Sequence, residues 1–394
     1  MTAAGERRRV LHVIDSLAGS GGAENRLVDE VVTLGGRFDQ RVVRLFERDF
    51  LQTRLESAGI PVVALGFSAR NAGRSWPLAA RRLRGVLRHW RPDVVHTSLF
   101  TGNLVGQLAC RPLGIPVLSS FNRTGELDLQ RAFQPGAASW RGRVMQAVAR
   151  RVSRSGDVHY RAVSEYARRT NCSLLGLSPE RVTVVPRGVS VDAAALDADR
   201  VAFGLPPRGP LFVNVARLVP EKGQRLLVDA FAGVRAALPD AILAIAGAPG
   251  PAETEVRAAI AHRGLGDAVH LLGFRSDARS LMAAADVFVL SSLSEGSPGV
   301  VLEAMAVGTP VVGFDIPPVA ELTDAGRYAR LAVAGHVPAL IEAMLDAYRS
   351  PQRAADVAAG RAWVDHFSLA AVADGLGDLL ERRALRGAHS RRVT

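Results

Sequence analysis

The chain is 394 residues long and 48% hydrophobic, with 49 basic against 38 acidic residues and a formal charge of +11. That length is too great for one ordinary α/β domain and sufficient for two cores. No apolar run approaches the roughly 18 residues that span a bilayer, so any membrane contact is expected to be peripheral. Aromatic residues make up 6% of the chain, too few for a surface that stacks on bases, and no nucleic acid partner is expected.

The opening stretch "RRRVLHVIDSLAGSGGAE" is basic and then apolar, but its apolar run stops at Asp15, too soon for a signal peptide, and reads as a first strand. Further strand candidates follow in "RVVRLF", "IPVVAL", "DVVHTS", "IPVLSSF", "HYRAVS" and "VTVVP". Each is β-branched and continuously apolar, as strands covered on both faces are, and helical stretches separate them. The alternation stops at "AAALDADRVAFGLPPRGP" and restarts with "PLFVNVARL", "AILAIAG", "AVHLLGF", "DVFVLSS" and "PVVGF". The pattern predicts two doubly wound parallel α/β domains: residues 1–190, a linker over 191–208, and residues 209–365. A helical tail over 366–394, broken near His366 to Ser368, is expected to pack back toward the first domain. The two cysteines, Cys110 and Cys172, have neither metal nor redox spacing, so the chain reads as reduced and cytoplasmic.

Ligands of open parallel sheets bind at the carboxyl ends of the strands, so the loops that follow strands carry the functional signal. After the first strand, "LAGSGGAEN" offers Gly19, Gly21 and Gly22 at a helix N-terminus suited to phosphate. Glu24 stands where a dinucleotide fingerprint has its third glycine. With Glu47 as a ribose-binding acid, this loop leaves a nicotinamide-dependent oxidoreductase open, and a plain tight turn equally so.

The second loop, "ARLVPEKGQ", holds Lys222, the one lysine among the 49 basic residues. An ammonium at a helix start opposes the macrodipole unless an anion is near. Arg217 at the strand end and Lys222 would together suit a diphosphate. The alternative is a surface ion pair from Lys222 to Glu221 or Asp229. The third loop, "SSLSEGSPGVVLEAMAVGTPVV", places Glu295 after a strand and Glu303 on the helix entered at Pro298 and Gly299. Such a helical acid can accept from a vicinal diol, although a solvated carboxylate is the commoner case.

In combination, "ARLVPEKGQRLLVDAF", "LLGF", "ADVFVLSSLSEGSPGVVLEAMAVGTPVV" and the early "GGAE" resemble the retaining GT-B glycosyltransferases of family GT4, the glycosyl transferases group 1. The resemblance implies two Rossmann-like domains facing across a cleft and transfer from a nucleotide-diphosphate sugar donor to an acceptor hydroxyl. By position, Arg217 and Lys222 would hold the diphosphate, Glu303 the ribose and Glu295 the donor sugar. Ser297, Gly299 and Val300 would offer amides to sugar and phosphate, and the base would lie against Phe274 and Arg275. Gly21 and Gly22 would meet the diphosphate from the other domain. Same-face attack with the leaving phosphate taking the proton is implied, so catalysis would rest on Glu295, Arg217 and Lys222. No cofactor and no metal is expected, since the cations supply the positive charge and the D-x-D at Asp197 and Asp199 falls in the linker. A sugar-nucleotide epimerase of the same fold is the other reading.

The chain departs from the family where many relatives carry a histidine: here Phe121 and Asn122 stand. It also has Arg187-Gly188 for the usual Asn-Gly turn. On the acceptor side this leaves His96, Asn103 and Asn122 as polar candidates, with His96 alone also readable as a satisfied core histidine. Residues 1–190 carry 29 Arg against 15 acidic residues, whereas residues 191–394 carry 20 basic against 23 acidic. The stretches "RRLRGVLRHWRPD" and "ARRVSRSGDVHYRAVSEYARR" mix Arg with apolar residues, as a helix lying on anionic lipid does. This favours a cytoplasmic enzyme working at the inner membrane face on a lipid-linked or membrane-proximal acceptor, an ordinary solvated helix face being the alternative.

Overall fold

The computed structural model describes residues 7–19, 22–68, 72–122, 140–189 and 198–393. The chain divides into two compact units, Met1–Gly188 with Leu369–Thr394, and Val189–Ser368.

In the first unit the elements run β1 (Arg9–Ile14), α1 (Gly22–Thr33), β2 (Asp39–Phe46), α2 (Gln52–Ser57), β3 (Val62–Phe67), α3 (Ala72–Trp90), β4 (Val94–Ser98) and α4 (Phe100–Cys110). They continue with β5 (Val117–Phe121), α5 (Trp140–Arg154), β6 (Val158–Ala162), α6 (Glu165–Leu175) and β7 (Val182–Val184). The strands form one parallel sheet in the order β3-β2-β1-β4-β5-β6-β7. The order reverses between β1 and β4, and the chain leaves both strands at the same sheet edge. All seven strands coincide with the continuous apolar runs. Runs such as "VVHTS" and "VLSSF" are buried along their whole length, which is why they lack the alternation of a half-exposed strand.

The second unit runs β8 (Leu211–Val215), α7 (Gln224–Ala237), β9 (Ile242–Ala246), α8 (Glu253–His262), β10 (Val269–Gly273), α9 (Ala278–Ala283), β11 (Val287–Leu290), α10 (Gly299–Val307), β12 (Val311–Asp315), α11 (Pro317–Leu322), β13 (Arg330–Val333), α12 (Val337–Arg349) and α13 (Arg353–Val364). Its parallel sheet is ordered β10-β9-β8-β11-β12-β13, with the reversal between β8 and β11. Strand β13 escaped the sequence reading. It is a four-residue edge strand whose Val333 is exposed, so it lacks the apolar run that marks a buried strand.

One expectation about the connections needs correction. The stretch 191–208 is not an open linker over its described part. Phe203 and Leu205 are buried in the core of the second unit, and Arg200 bonds to Asp286 (2.8 Å) and to the carbonyls of Gly209 and Ala284. Two spaced apolar anchors suffice to pack a stretch with no strand pattern. Asp199 accepts from the amide of Val201 (2.9 Å), the first residue of a short 3₁₀ turn; Asp197 lies outside the described residues.

The chain ends in α14 (Leu369–Val393). Val372, Leu376 and Leu380, four residues apart, present one face of this helix to Val10, Leu34, Phe38, Val94 and Leu118 of the first unit. Arg37 reinforces the contact through Asp378 (2.6 Å) and Glu381 (2.9 Å).

Helix α3 settles what its arginines face. Ala79, Ala80, Leu83, Leu87 and Trp90 are buried, Trp90 to 6% exposure, while Arg81 and Arg88 are exposed and Arg82, also exposed, is tied to Leu65 O (3.0 Å) and lies over Phe67. The apolar side chains that would enter lipid are therefore spent in the core. In the second basic stretch Tyr160 and Arg161 are wholly buried, and Arg150 and Arg154 bond to carbonyls of Leu174, Leu175 and Gly176. Among the described residues no helix is long and apolar enough to cross a membrane.

Candidate active site

The site of the second unit is built where the strand order reverses, from the loops after β8 and β11. The chain leaves β8 through Ala216 and Arg217, makes a 3₁₀ turn over Pro220–Lys222, and enters α7 through Gly223 in the left-handed region (φ +62°). A Cβ on Gly223 would stand 2.2 Å from the Ser291 carbonyl oxygen, so both conformation and close approach require glycine. The two loops are stitched together. Leu293 N donates to Glu221 O (2.9 Å), and Ser291 Oγ donates to Lys222 O (2.9 Å).

This stitching delivers Lys222 to Glu295. Nζ lies 2.5 Å from Oε1, and the two side chains are only 16% and 13% exposed. Ser292 Oγ donates to the same Oε1 (2.8 Å). The partner is thus neither Glu221 nor Asp229; Asp229 is held by Arg263 (2.9 Å) and Arg225 (3.4 Å). A half-buried ion pair across two strand-end loops is a poor device for stability, because desolvation offsets its Coulombic gain.

Arg217, half-buried, makes no side-chain hydrogen bond or ion pair among the described residues. Its backbone, by contrast, is clamped. Gln224, buried at the first position of α7, donates from Nε2 to the carbonyls of Arg217 (2.9 Å) and Ala216 (3.3 Å). Behind it Gly247 packs so closely that a Cβ would stand 1.8 Å from Ala216 O. Gln224 escaped the sequence reading: the residue after a Lys-Gly pair looks like an ordinary helix start.

Past Glu295, Ser297 Oγ is buried with no hydrogen-bond partner. Pro298 stands at the N-cap of α10 in extended conformation, so Gly299 and Val300 occupy the first turn, where amides lack intrahelical acceptors. Glu303 follows one turn on, half-buried. After β10, Phe274 is 58% exposed. Arg275 is engaged by Asp277 (2.8 and 2.5 Å) and stacks over Phe203 at 5.1 Å; what remains to a ligand there is the Phe274 ring and backbone. Among the described residues no group of three His, Cys, Asp or Glu could hold a metal ion.

In the first unit Gly22 opens α1, and the Arg187 guanidinium lies 2.7 Å from where its Cβ would be. Gly21 lies outside the described residues. His96 needs correction as an acceptor-side residue. It is 1% exposed, and its ring nitrogens are taken by His12 Nδ1 (3.0 Å) and Ser120 Oγ (2.8 Å). Burial, reinforced by His12 and by the charges of Arg161 and Arg26, holds it well below the ordinary imidazole range. It is a neutral core histidine. Asn103 and Asn122 do line a cavity after β4 and β5. Asn103 Oδ1 accepts from Thr97 (2.7 Å), and Nδ2 donates to Ser120 O (3.1 Å).

Behind Asn122 lies an ion cluster that the sequence did not announce. Glu30 receives Arg161 in a bidentate pair (2.7 and 2.7 Å) and has Arg26 at 3.3 Å. Burial works to raise the Glu30 carboxyl, but Arg161 and then Arg26 outweigh it and hold it below the ordinary range. Burial likewise brings Arg26 down to about 9, against the pull of Glu30. Arg26 in turn bonds to Asn122 Oδ1.

Two parallel α/β units of this topology make up the GT-B fold. The structure of Anabaena Alr3699/HepE in complex with UDP has the same fold, with a TM-score of 0.79 at 23% identity over 95% of this chain and 100% of that one. Residues 197–361 match the family "Glycosyl transferases group 1", and residues 20–193 match "Glycosyltransferase Family 4". Over 323 residues the chain is 30% identical to D-inositol 3-phosphate glycosyltransferase 2 of Catenulispora acidiphila, spanning 75% of this chain and 73% of the relative. Over 365 residues it is 28% identical to 2-deoxystreptamine glucosyltransferase of Streptomyces kanamyceticus, 88% and 92% of the two chains. The chain belongs to the group 1 glycosyltransferases and is an enzyme of that class, which sets aside the epimerase and nicotinamide readings; Glu47 is simply solvent-exposed.

Proposed function

We propose that the enzyme transfers a sugar from a nucleotide-diphosphate donor to an acceptor hydroxyl, with retention of configuration and without a metal. The observation that carries the reading is the Lys222–Glu295 pair at the β8/β11 reversal, beside an Arg217 whose guanidinium has no protein partner among the described residues. A diphosphate brought to this point meets two cations and the first-turn amides of α10, which stabilise charge as it develops on the leaving group. In the transfer, the bond from the anomeric carbon to the diphosphate oxygen breaks. The acceptor oxygen bonds to the same face of that carbon, and its proton passes to the departing phosphate. Glu295, once Lys222 turns to the diphosphate, has a carboxylate oxygen for the sugar and for the positive charge that grows at its ring. Glu303 takes the ribose hydroxyls, and Phe274 with its backbone borders the base.

The setting we propose is cell-surface polysaccharide, glycolipid or glycosylated-metabolite synthesis in the cytoplasm. Any attachment to anionic lipid is electrostatic, through the outward arginines of α3, and so is released by salt. A lipid-linked acceptor suits that placement.

Titration of UDP, GDP and ADP by calorimetry, followed by nucleoside diphosphate release from the matching sugar donors with and without EDTA, tests the reading. One nucleotide should bind, Arg217→Ala, Lys222→Met and Glu303→Gln should each weaken it, and EDTA should leave turnover unchanged. Binding indifferent to all three substitutions would remove the proposal, and loss of turnover with EDTA would remove its metal-independent form.

A further inference from the structure

The first unit gathers arginines at the amino ends of β6 and β7, about the turn of Ser155, Gly156 and Asp157 that leads from α5 into β6. Arg111 bonds to Ser155 Oγ (3.2 Å), Arg181 to the carbonyls of Val158 (2.8 Å) and Arg154 (3.4 Å), and Arg383 to Asp157. On α5, just before the turn, Arg154 reaches the carbonyls of Leu175 and Gly176 (both 3.1 Å), and Arg150 that of Leu174 (2.6 Å). A main-chain carbonyl holds a guanidinium in place without cancelling its charge. Among the described residues Asp157 is the one carboxylate that an arginine of this group engages. Elsewhere in the first unit the pattern is the opposite: Arg37 has Asp378 and Glu381, Arg54 has Asp29, and Arg161 has Glu30.

Arg150 and Arg154 have a structural use, because the carbonyls they take close the carboxyl end of α6. Arg382 and Arg386 have no such use. Both are exposed, four residues apart on one face of α14, and they make no side-chain hydrogen bond or ion pair among the described residues. The bond from Arg383 to Asp157 brings this stretch of α14 to the start of β6. There His159, half-buried, shares a hydrogen bond between its Nε2 and Thr183 Oγ1 of β7 (2.8 Å). The imidazole registers the charge around it: burial first, then Arg383, Arg386, Arg181 and Arg382, bring it down to about 4.

We propose that this corner binds a compact polyvalent phosphate anion, held by Arg181, Arg382 and Arg386 beside His159, as a ligand separate from donor and acceptor. Guanidinium forks match phosphate oxygens, and an anion relieves the mutual repulsion of cations that no carboxylate offsets. The corner lies at the amino ends of the strands, whereas ligands of such sheets in catalysis meet the carboxyl ends. The length of β6 alone, about 13 Å, separates the two. A lipid surface is the poorer fit. Val372, Leu376 and Leu380 are buried against the first sheet, and the one large apolar side chain that the described part of α14 exposes is Leu385, too little to enter lipid. The inference stands independently of the donor reading above.

Tripolyphosphate is the probe, titrated into the full chain at fixed ionic strength while the histidine ring signals are followed by NMR. It should bind with a Kd on the order of 100 μM and move the His159 signals. At pH 5 His159 should go from about one-tenth protonated to about half, because the anion offsets the guanidinium charges. Arg382→Ser with Arg386→Ser removes two exposed side chains, leaves the buried face of α14 intact, and should weaken binding at least about tenfold. Lys222→Met should leave the His159 response unchanged, so that a phosphate seated after β8 is not mistaken for this one. Sedimentation with phosphatidylglycerol vesicles should be the same for wild type and the double variant. His159 signals unmoved by tripolyphosphate, a response that persists in the double variant or is lost in Lys222→Met, a response that sodium chloride of equal ionic strength reproduces, or vesicle sedimentation lost in the double variant overturns the proposal.

Discussion

In the first unit the sheet itself carries a row of polar side chains. Gln40, His12, His96 and Ser120 are hydrogen-bonded in series across β2, β1, β4 and β5, all buried. In the second unit the central strands β9, β8 and β11 are apolar apart from Asn214, and the charges gather in loops at the strand ends, where Lys222 meets Glu295. Position along the strand separates the roles. A polar group in mid-strand is covered on both faces and can serve only the structure, whereas one at the carboxyl end faces whatever binds there.

The sharpest way to break that comparison is to remove a charge from each place. Glu30→Ala leaves the wholly buried Arg161 without its carboxylate and should lower the stability of the first unit by about 3–5 kcal/mol. In urea unfolding its transition should shift while that of the second unit stays; equal shifts of both would deny the cluster a local structural role. Lys222→Met should do the reverse, leaving the first unit's unfolding unchanged while lowering donor-dependent kcat/KM by about 10²–10³.

Acid should discriminate between the units as well. His12 is brought down to about 4, chiefly by burial, with Gln40 and Glu30 working the other way, and His96 is lowered in the same sense. Below pH 6.5 the unfolded imidazoles take up protons that the folded ones refuse. The stabilisation is therefore complete above that pH and is lost as pH falls toward 4, on the order of 3 kcal/mol from His12. Unfolding of the first unit followed at pH 7 and pH 4.5 should show it, and a His12→Gln variant should flatten the profile. The smallest effect concerns Gln224. Gln224→Met should weaken binding of whichever nucleoside diphosphate the titration selects about fivefold by loosening the Arg217 loop, and should have no further effect in an Arg217→Ala background. Additive losses would mean that Gln224 does not act through Arg217.

The fold and the loops that carry the candidate site were legible for one reason: both lie in short-range patterns. Continuous apolar runs mark buried strands, and the loops that follow them contain their own signals, a glycine, a solitary lysine, an acid on a helix entry. What was not legible depends on pairing between distant segments. That Lys222 would meet Glu295, 73 residues away, rather than Asp229 follows from the placement of β8 beside β11. The same holds for Glu30 with Arg161, 131 residues apart, and for His96, whose partners come from two neighbouring strands. The α3 arginines were visible, but which neighbours the core would consume was not, and so Trp90 could be taken for a lipid contact. Strand β13 shows the limit of the pattern itself, since an edge strand of four residues carries no run long enough to read.

The second unit begins and ends at one place. Val189 N donates to Phe367 O (2.9 Å), and Val189 bridges Ser368 in parallel, so some 180 residues depart from and return to a single point in the chain. Once that excursion has folded, Leu369 is delivered beside Gly188. Docking of the terminal helix on the first sheet then closes a tight bend instead of a long disordered loop, sparing about 5 kcal/mol of chain entropy. Chains cut short within the inserted unit lack that helix and should be unable to complete the first sheet's outer layer.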